Sequence, residues 1–346
     1  MSNKTPILAL SGSPHEIGYA HGHRVKKQVH FTLETYERMF HVHSNLSWKD
    51  ACNRALLHHD AIEQYNVDYL YEMEGLAKGA GVTFEDILAI NARSEIALTN
   101  VPDGCTAFAI TDQNESTWLA QNWDWTSTQA DALVQLQIEK TNLPAVNMVT
   151  EAGIIGKIGS NSAGIGVGLN ALVTNTVKPK VPIHLGLRAV LESSSMDEAL
   201  SKVDQNQMAS PAHFLIAAKS GKMIGLEVSP VHTAGIKSEE NFVTHTNHIL
   251  SEKLKHAVVE DPKPDSFTRY DVVNNLLRGM DKTKINDSML FEVLADHTNY
   301  PHSICRHTSP EDEQTGTRIS ETIFSIVMNL TDDRLVWMKG HPCEQL

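Results

Sequence analysis

Apolar positions recur at helical spacing through the first hundred residues and then change period. Ser13-Pro14-His15-Glu16 has the form of a capping box with proline at the first helical position, so a helix is expected from there to about Phe40. Ser47-Trp48-Lys49-Asp50 opens a second, with Leu56, Leu57, Ile62 and Tyr65 on one stripe, continuing over 69–79 until Gly79 and Gly81 end it. Thr83-Phe84-Glu85-Asp86 opens a third, carrying Ile87, Leu88 and Ile90. After Pro102 the period shortens to two. Residues 105–110 and 117–123 read as strands around an Asp112-Gln113-Asn114 turn. Further strands are expected at 134–138, 146–150, 214–218, 223–228 and 242–245, and a C-terminal hairpin at 323–330 and 334–338. Residues 183–203, 267–280 and 289–295 read as helices. This order predicts an α+β domain, helices layered on a largely antiparallel sheet.

Composition narrows the class. With 346 residues, 41% hydrophobic and 21% charged, the chain can bury a large core without staples. It has no apolar run near the ~20 residues that span a bilayer, and no signal peptide is expected from its first residues, which lack a sustained apolar core. A formal net charge of −13 argues against a nucleic-acid partner. The four cysteines, Cys52, Cys105, Cys305 and Cys343, lie far apart with no C-x-x-C pair, which points to a reducing compartment and gives no zinc spacing. Close histidines such as His21 and His23, His41 and His43, or His58 and His59 do not complete a metal signature, so no metal is expected. Residues 164–168 alternate glycine with apolar residues but miss the dinucleotide-binding spacing, and read as sheet glycines.

Chemistry concentrates at the change of period, in Asp103-Gly104-Cys105-Thr106. A thiol sits at a strand start, beside a peptide bond with no bulk on its glycine side. Were that bond cut, Cys105 would carry both a thiol nucleophile and an α-amino group, whose ordinary pKa of about 8 lets it accept a proton near neutral pH.

The chain resembles the acyl-coenzyme A:6-aminopenicillanic acid acyltransferase (isopenicillin N acyltransferase) family of N-terminal-nucleophile hydrolases along nearly its whole length. The matching segments are residues 12–18 with His21-Gly22, Asn91-Ala92-Arg93-Ser94-Glu95, Asp103-Gly104-Cys105-Thr106, Gln121-Asn122-Trp123-Asp124, 150–157, Asn161-Ser162-Ala163-Gly164, His245-Thr246-Asn247-His248, and Asn299-Tyr300-Pro301 through Ser303-Ile304-Cys305-Arg306. The resemblance implies a four-layer αββα sandwich over a single domain, 1–346. It implies self-cleavage at Gly104-Cys105 into chains 1–104 and 105–346 that stay associated, with Thr106 next to the cut. It makes Cys105 the nucleophile, Asp124 the carboxylate that holds its amino group, Asn247 an oxyanion donor through its NH2, and Arg306 a cation that lowers the thiol pKa or orients Asp124. Ser229 matches a serine facing substrate. His245 and His248 are read as structural, and Cys305 as a small buried residue.

The implied reaction needs no cofactor. A thioester acyl-enzyme passes its acyl group to an amine, with an acyl-coenzyme A thioester or an amide as donor, or to water. The expected partners are small acylated amines or peptides, with no nucleic acid and no membrane. The competing reading is an uncleaved binding protein on the same fold, against which stand the intact Cys105, Asp124, Asn247 and Arg306. Cytosol is the expected location and the peroxisome the alternative, since the terminal Glu344-Gln345-Leu346 shares only its leucine with S-K-L.

Overall fold

The alternating segments after Pro102, joined by one strand at Ile7–Ser11, build two sheets that face each other. The computed structural model describes residues 5–96, 104–238, 240–308 and 320–346. In chain order the strands are β1 (Ile7–Ser11), β2 (Gly104–Thr111), β3 (Thr117–Thr126), β4 (Leu133–Glu139), β5 (Val146–Glu151), β6 (Ile158–Asn161), β7 (Ile165–Ala171), β8 (Ala212–Ala218), β9 (Met223–Val228), β10 (Ala234–Lys237), β11 (Phe242–His245), β12 (Ser320–Asn329) and β13 (Arg334–Lys339). One sheet runs β1-β4-β5-β6-β7-β8-β9-β10 and the other β11-β2-β3-β12-β13. Among the described residues every ladder is antiparallel except β1 on β4.

The glycines of β7 let the sheets approach. A Cβ on Gly168 would stand 2.6 Å from Gln121 Oε1 of β3, and one on Gly166 would stand 2.7 Å from Leu330. Gln121 uses that space to bridge the sheets: its amide oxygen accepts from Leu169 N at 2.9 Å, and its NH2 donates to Leu169 O. A buried glutamine with both ends satisfied fixes how the two sheets stack.

The helices are α1 (Pro14–Arg24), α2 (Lys26–Ser44), α3 (Trp48–Leu56), α4 (His59–Ala80), α5 (Phe84–Asn91), α6 (Arg93–Ile96), α7 (Ile183–Leu191), α8 (Met196–Ser201), α9 (Glu252–Lys255), α10 (Pro264–Gly279) and α11 (Asp287–Leu294). α7 lies on β6 and β7, and α1 lies beside β1. α10 and α11 cover the outer face of the five-stranded sheet, where Val273, Leu277, Leu290 and Leu294 bury Phe108, Ile110, Trp118 and Ala120. The result is the four-layer αββα arrangement. Among the described residues no helix is long and apolar enough to cross a membrane.

The caps at Ser13, Ser47 and Thr83 form as the sequence indicates, the first and third as reciprocal capping boxes. Several elements depart from the pattern. The expected helix to Phe40 is two, α1 and α2, because Val25 leaves helical geometry at φ −123° and ψ 35°, and the one opened at Ser47 is also two, α3 and α4. Gly79 does not end α4; it lets α4 touch α1, since a Cβ there would stand 2.3 Å from Tyr19 O, and Gly75 likewise would meet His15 O at 2.1 Å. The left-handed stop is Gly81, at φ 71°. The expected 183–203 helix is two, because the Ser195 hydroxyl accepts from Glu198 N and starts α8 afresh. β1 and β10 are too short to show a period, and the sequence pattern does not predict them.

Candidate active site

Strand alternation sorts the residues around the Gly104–Cys105 bond onto two faces. In the β2–β3 ladder Gly104 pairs with Asp124, Cys105 with Trp123 and Thr106 with Asn122. Gly104, Thr106, Asn122 and Asp124 therefore share the face toward α10 and α11, while Cys105 and Trp123 share the face between the sheets. Asp103 lies outside the described residues.

Asp124 is fully buried. Its neighbour across β12, Thr322, donates its hydroxyl to Asp124 Oδ1 at 2.7 Å, and Arg306 Nε lies 3.4 Å from Oδ2. A Cβ on Gly104 would sit 2.6 Å from Asp124 Oδ2 and 2.7 Å from Arg306 Nε. The residue before the thiol is thus glycine because a carboxylate and a guanidinium occupy the place of a side chain. The other nitrogens of Arg306 pair with Asp265 and with His302 Nδ1.

The backbone of Cys105 is held at both ends. Its N–H donates to Asn247 Oδ1 at 2.8 Å. Its carbonyl accepts from Arg269 Nη1 at 2.7 Å and from Asn170 Nδ2 at 3.2 Å. Arg269 also donates to Thr106 Oγ1 at 3.1 Å and to Asn247 Oδ1 at 2.9 Å, and pairs with Asp265 at 3.1 Å. Two donors converge on one end of the Asn247 amide, so that end is its oxygen; the NH2 donates to Ala171 O at 3.1 Å. Asn247 therefore presents its carbonyl oxygen to the Cys105 N–H, and the NH2 that the resemblance makes an oxyanion donor lies against Ala171 O in this arrangement.

Two guanidiniums and two carboxylates share this buried corner. Burial pushes the Asp265 carboxyl up, but Arg269 and Arg306 outweigh it and hold the pKa below the usual value. Burial, and then Arg306, lower the pKa of Arg269, which as an arginine keeps its charge. Sequence reasoning misses Arg269, Asp265, Asn170 and Thr322. Asp265 and Arg269 stand four apart on α10, a spacing that places them on one helix face but does not say what they reach.

Ser229 is buried, and its hydroxyl closes a turn: it donates to His232 O at 2.6 Å and accepts from His232 N at 2.9 Å. Those bonds stay within the turn. His245 is braced by Thr246 O at 2.8 Å and Glu227 Oε1 at 3.0 Å, and His248 by the Ser266 hydroxyl at 2.8 Å.

On the inner face a second charged group lies beneath Trp123, the partner of Cys105. Lys157 Nζ sits 3.4 Å from the Trp123 ring centroid and 3.1 Å from Glu151, which also pairs with Arg93 at 3.3 Å and accepts from the Tyr36 hydroxyl. Burial favours the neutral acid at Glu151, yet Arg93 and Lys157 prevail and lower its pKa.

Comparison with known proteins gives the relationship. The family model of acyl-coenzyme A:6-aminopenicillanic acid acyl-transferase matches residues 111–341. The acyl-coenzyme A:6-aminopenicillanic-acid-acyltransferase 40 kDa form of Emericella nidulans is 35% identical over 340 residues, spanning 97% of this chain and 92% of the relative. Among solved structures, a mutant of the conjugated bile acid hydrolase from Clostridium perfringens is similar at TM-score 0.48 and 13% identity, covering 68% of this chain and 89% of that one. The penicillin V acylase from Agrobacterium tumefaciens is similar at TM-score 0.39 and 14% identity, covering 68% and 83%. The chain belongs to the acyl-coenzyme A:6-aminopenicillanic acid acyltransferase family.

Proposed function

We propose that this protein cuts itself between Gly104 and Cys105 and then works as a cysteine acyltransferase or amidohydrolase. The observation that carries the reading is the convergence on one peptide bond: Cys105 held at N–H and carbonyl by Asn247 and Arg269, with Asp124 and Arg306 filling the space beside Gly104.

In the precursor the Cys105 sulfur attacks the Gly104 carbonyl carbon. The C–N bond breaks, the thiol proton passes to the departing nitrogen, and a thioester forms. Water hydrolyses it, leaving a carboxylate on Gly104 and a free thiol and α-amine on Cys105. Asn247 Oδ1 then holds that amine, and Asp124, on the adjacent ladder position, stabilises its protonated form. In turnover the thiol attacks the acyl carbon of a coenzyme A thioester or an amide, the amine shuttles the proton to the leaving group, and an acceptor amine or water releases the acyl group. Thr106, through its bond to Arg269, steadies the cleavage geometry. Ser229 serves substrate only indirectly, by shaping its turn.

Intact-mass analysis of the purified protein tests the reading. Two chains of about 11.5 and 27 kDa, scaled from 38.3 kDa by residue number, with Cys105 at the second N-terminus, are expected. Cys105→Ala should remain one chain and be inactive toward acyl-coenzyme A plus amine and toward amides. A wild type that persists as one chain and still turns over substrate overturns the amine-as-base mechanism, and an inert single chain leaves the binding-protein reading.

A further inference from the structure

We propose that His297, Cys305, His307 and Cys343 bind a zinc ion that pins the Arg306 loop to the C-terminal turn.

These four side chains come from two places in the chain, the loop after α11 and the turn Pro342–Glu344, and each offers one ligand atom, all within 4.8 Å of one another. The separations decide the case. Cys305 Sγ and Cys343 Sγ are 3.6 Å apart, each lies 3.5 Å from His307 Nε2, and the two imidazole Nε2 atoms are 3.1 Å apart. A tetrahedral zinc with Zn–S near 2.3 Å and Zn–N near 2.05 Å requires S···S, S···N and N···N separations of about 3.8, 3.5 and 3.3 Å. These four separations each match within about 0.2 Å, and the two from His297 to the thiols stay within the 4.8 Å bound.

Hydrogen bonding does not account for the cluster as well. His307 Nε2 carries either one proton or one lone pair, yet three heteroatoms crowd it. A cation at their common centre engages all four at once. Two thiolates and two imidazoles in a tetrahedron suit zinc over hard cations that take oxygen ligands. On binding, each cysteine loses its proton to solvent, so the ion's two charges are balanced by two thiolates.

The loop is already braced for the task. Cys305 N donates to Asp296 O at 3.0 Å, His307 N donates to Pro301 O at 2.9 Å, and the His307 ring stacks on His341 at 4.0 Å between centroids. Between the two ligands Cys305 and His307 stands Arg306, the residue against Asp124 and Gly104. The ion would fix the stem from which that guanidinium reaches the cleavage site.

The test is metal analysis of the full-length protein, expressed with a histidine-free tag and purified with zinc present and without chelators. About one zinc per 346-residue protein is expected in the wild type and in Cys105→Ala, which removes the nucleophilic thiol from consideration. Cys305→Ser/Cys343→Ser should lose the ion, while Cys343→His, which restores a ligand, should keep it. Cobalt in place of zinc should give the intense visible bands of a tetrahedral site and thiolate-to-cobalt charge transfer, both absent in the double variant. Zinc-free wild-type protein, zinc lost in Cys105→Ala, or a Cys305–Cys343 disulfide in protein isolated under reducing conditions would each overturn the proposal.

Discussion

Gly104 stands directly across the β2–β3 ladder from Asp124, and the Asp124 carboxylate occupies the space a side chain at Gly104 would need. This relationship makes the glycine a sensitive probe. Gly104→Ala should push Asp124 and Arg306 off their positions by a fraction of an ångström or more, and self-cleavage should slow by about 10²-fold, the scale at which small misplacements act. The fraction of processed chain against time after synthesis, read by intact mass, measures this. Processing at the wild-type rate would show that the crowding has no bearing on the cut.

Asn247 distinguishes two ways of helping Cys105. Asn247→Ala leaves two buried donors, Cys105 N–H and Arg269 Nη2, short of an acceptor. At about 1–3 kcal/mol for such a loss, kcat/KM should fall about ten- to a hundredfold. Asn247→Asp keeps an oxygen there but turns the other toward Ala171 O, and should retain more activity than the alanine variant. Equal losses in the two would instead favour the NH2 as the working end.

Arg269 is a case where lysine is not a conservative change. Its planar fork reaches Cys105 O, Thr106 Oγ1, Asn247 Oδ1 and Asp265 together, which a point charge on a flexible stem does not do. Arg269→Lys should fold, by circular dichroism, but process and turn over at least about 10²-fold more slowly.

Acid should weaken the fold through His21. Burial and the nearby Arg188 lower its pKa from 6.5 to about 3, and Gly153 N donates to its Nε2 at 3.2 Å, which requires a bare ring nitrogen. The folded pKa lies below the unfolded one, so this stability is present above pH 6.5 and is lost as pH falls toward 3. At pH 5 the loss is about 2 kcal/mol. His21→Gln supplies a non-titrating acceptor, so its urea-unfolding free energy should change less between pH 7 and pH 5 than that of the parent. Using a Cys105→Ala background keeps a single chain in both states. An unchanged pH slope would remove His21 as the cause.

Much of this is legible in the sequence, for reasons that can be located. Capping boxes at Ser13 and Thr83 depend on residues three apart, and the strand at Cys105 on alternation, so both are written locally. Arg306 and Asp124 are reached through resemblance to a family, not through spacing. Arg269 and Asp265 escape because an ordinary i,i+4 pair on an amphipathic helix carries no sign that the helix begins over a strand start. The Cys305, His307 and Cys343 group escapes for the converse reason: a search for ligands at short intervals discards a set that closes only when the C-terminal turn returns to the loop after α11.

The position of β2 has a mechanical consequence. Gly104 opens a strand flanked on both sides, by β11 and β3, while residues 5–96 contribute β1 to the opposite sheet and pack α1, α2, α4 and α5 into the same continuous core as Trp123 and Phe324. A break at Gly104 would therefore sever the chain without opening a seam, and the two fragments should stay interlocked. A tag on the first fragment should carry the second through purification in untreated buffer, and only denaturant should part them.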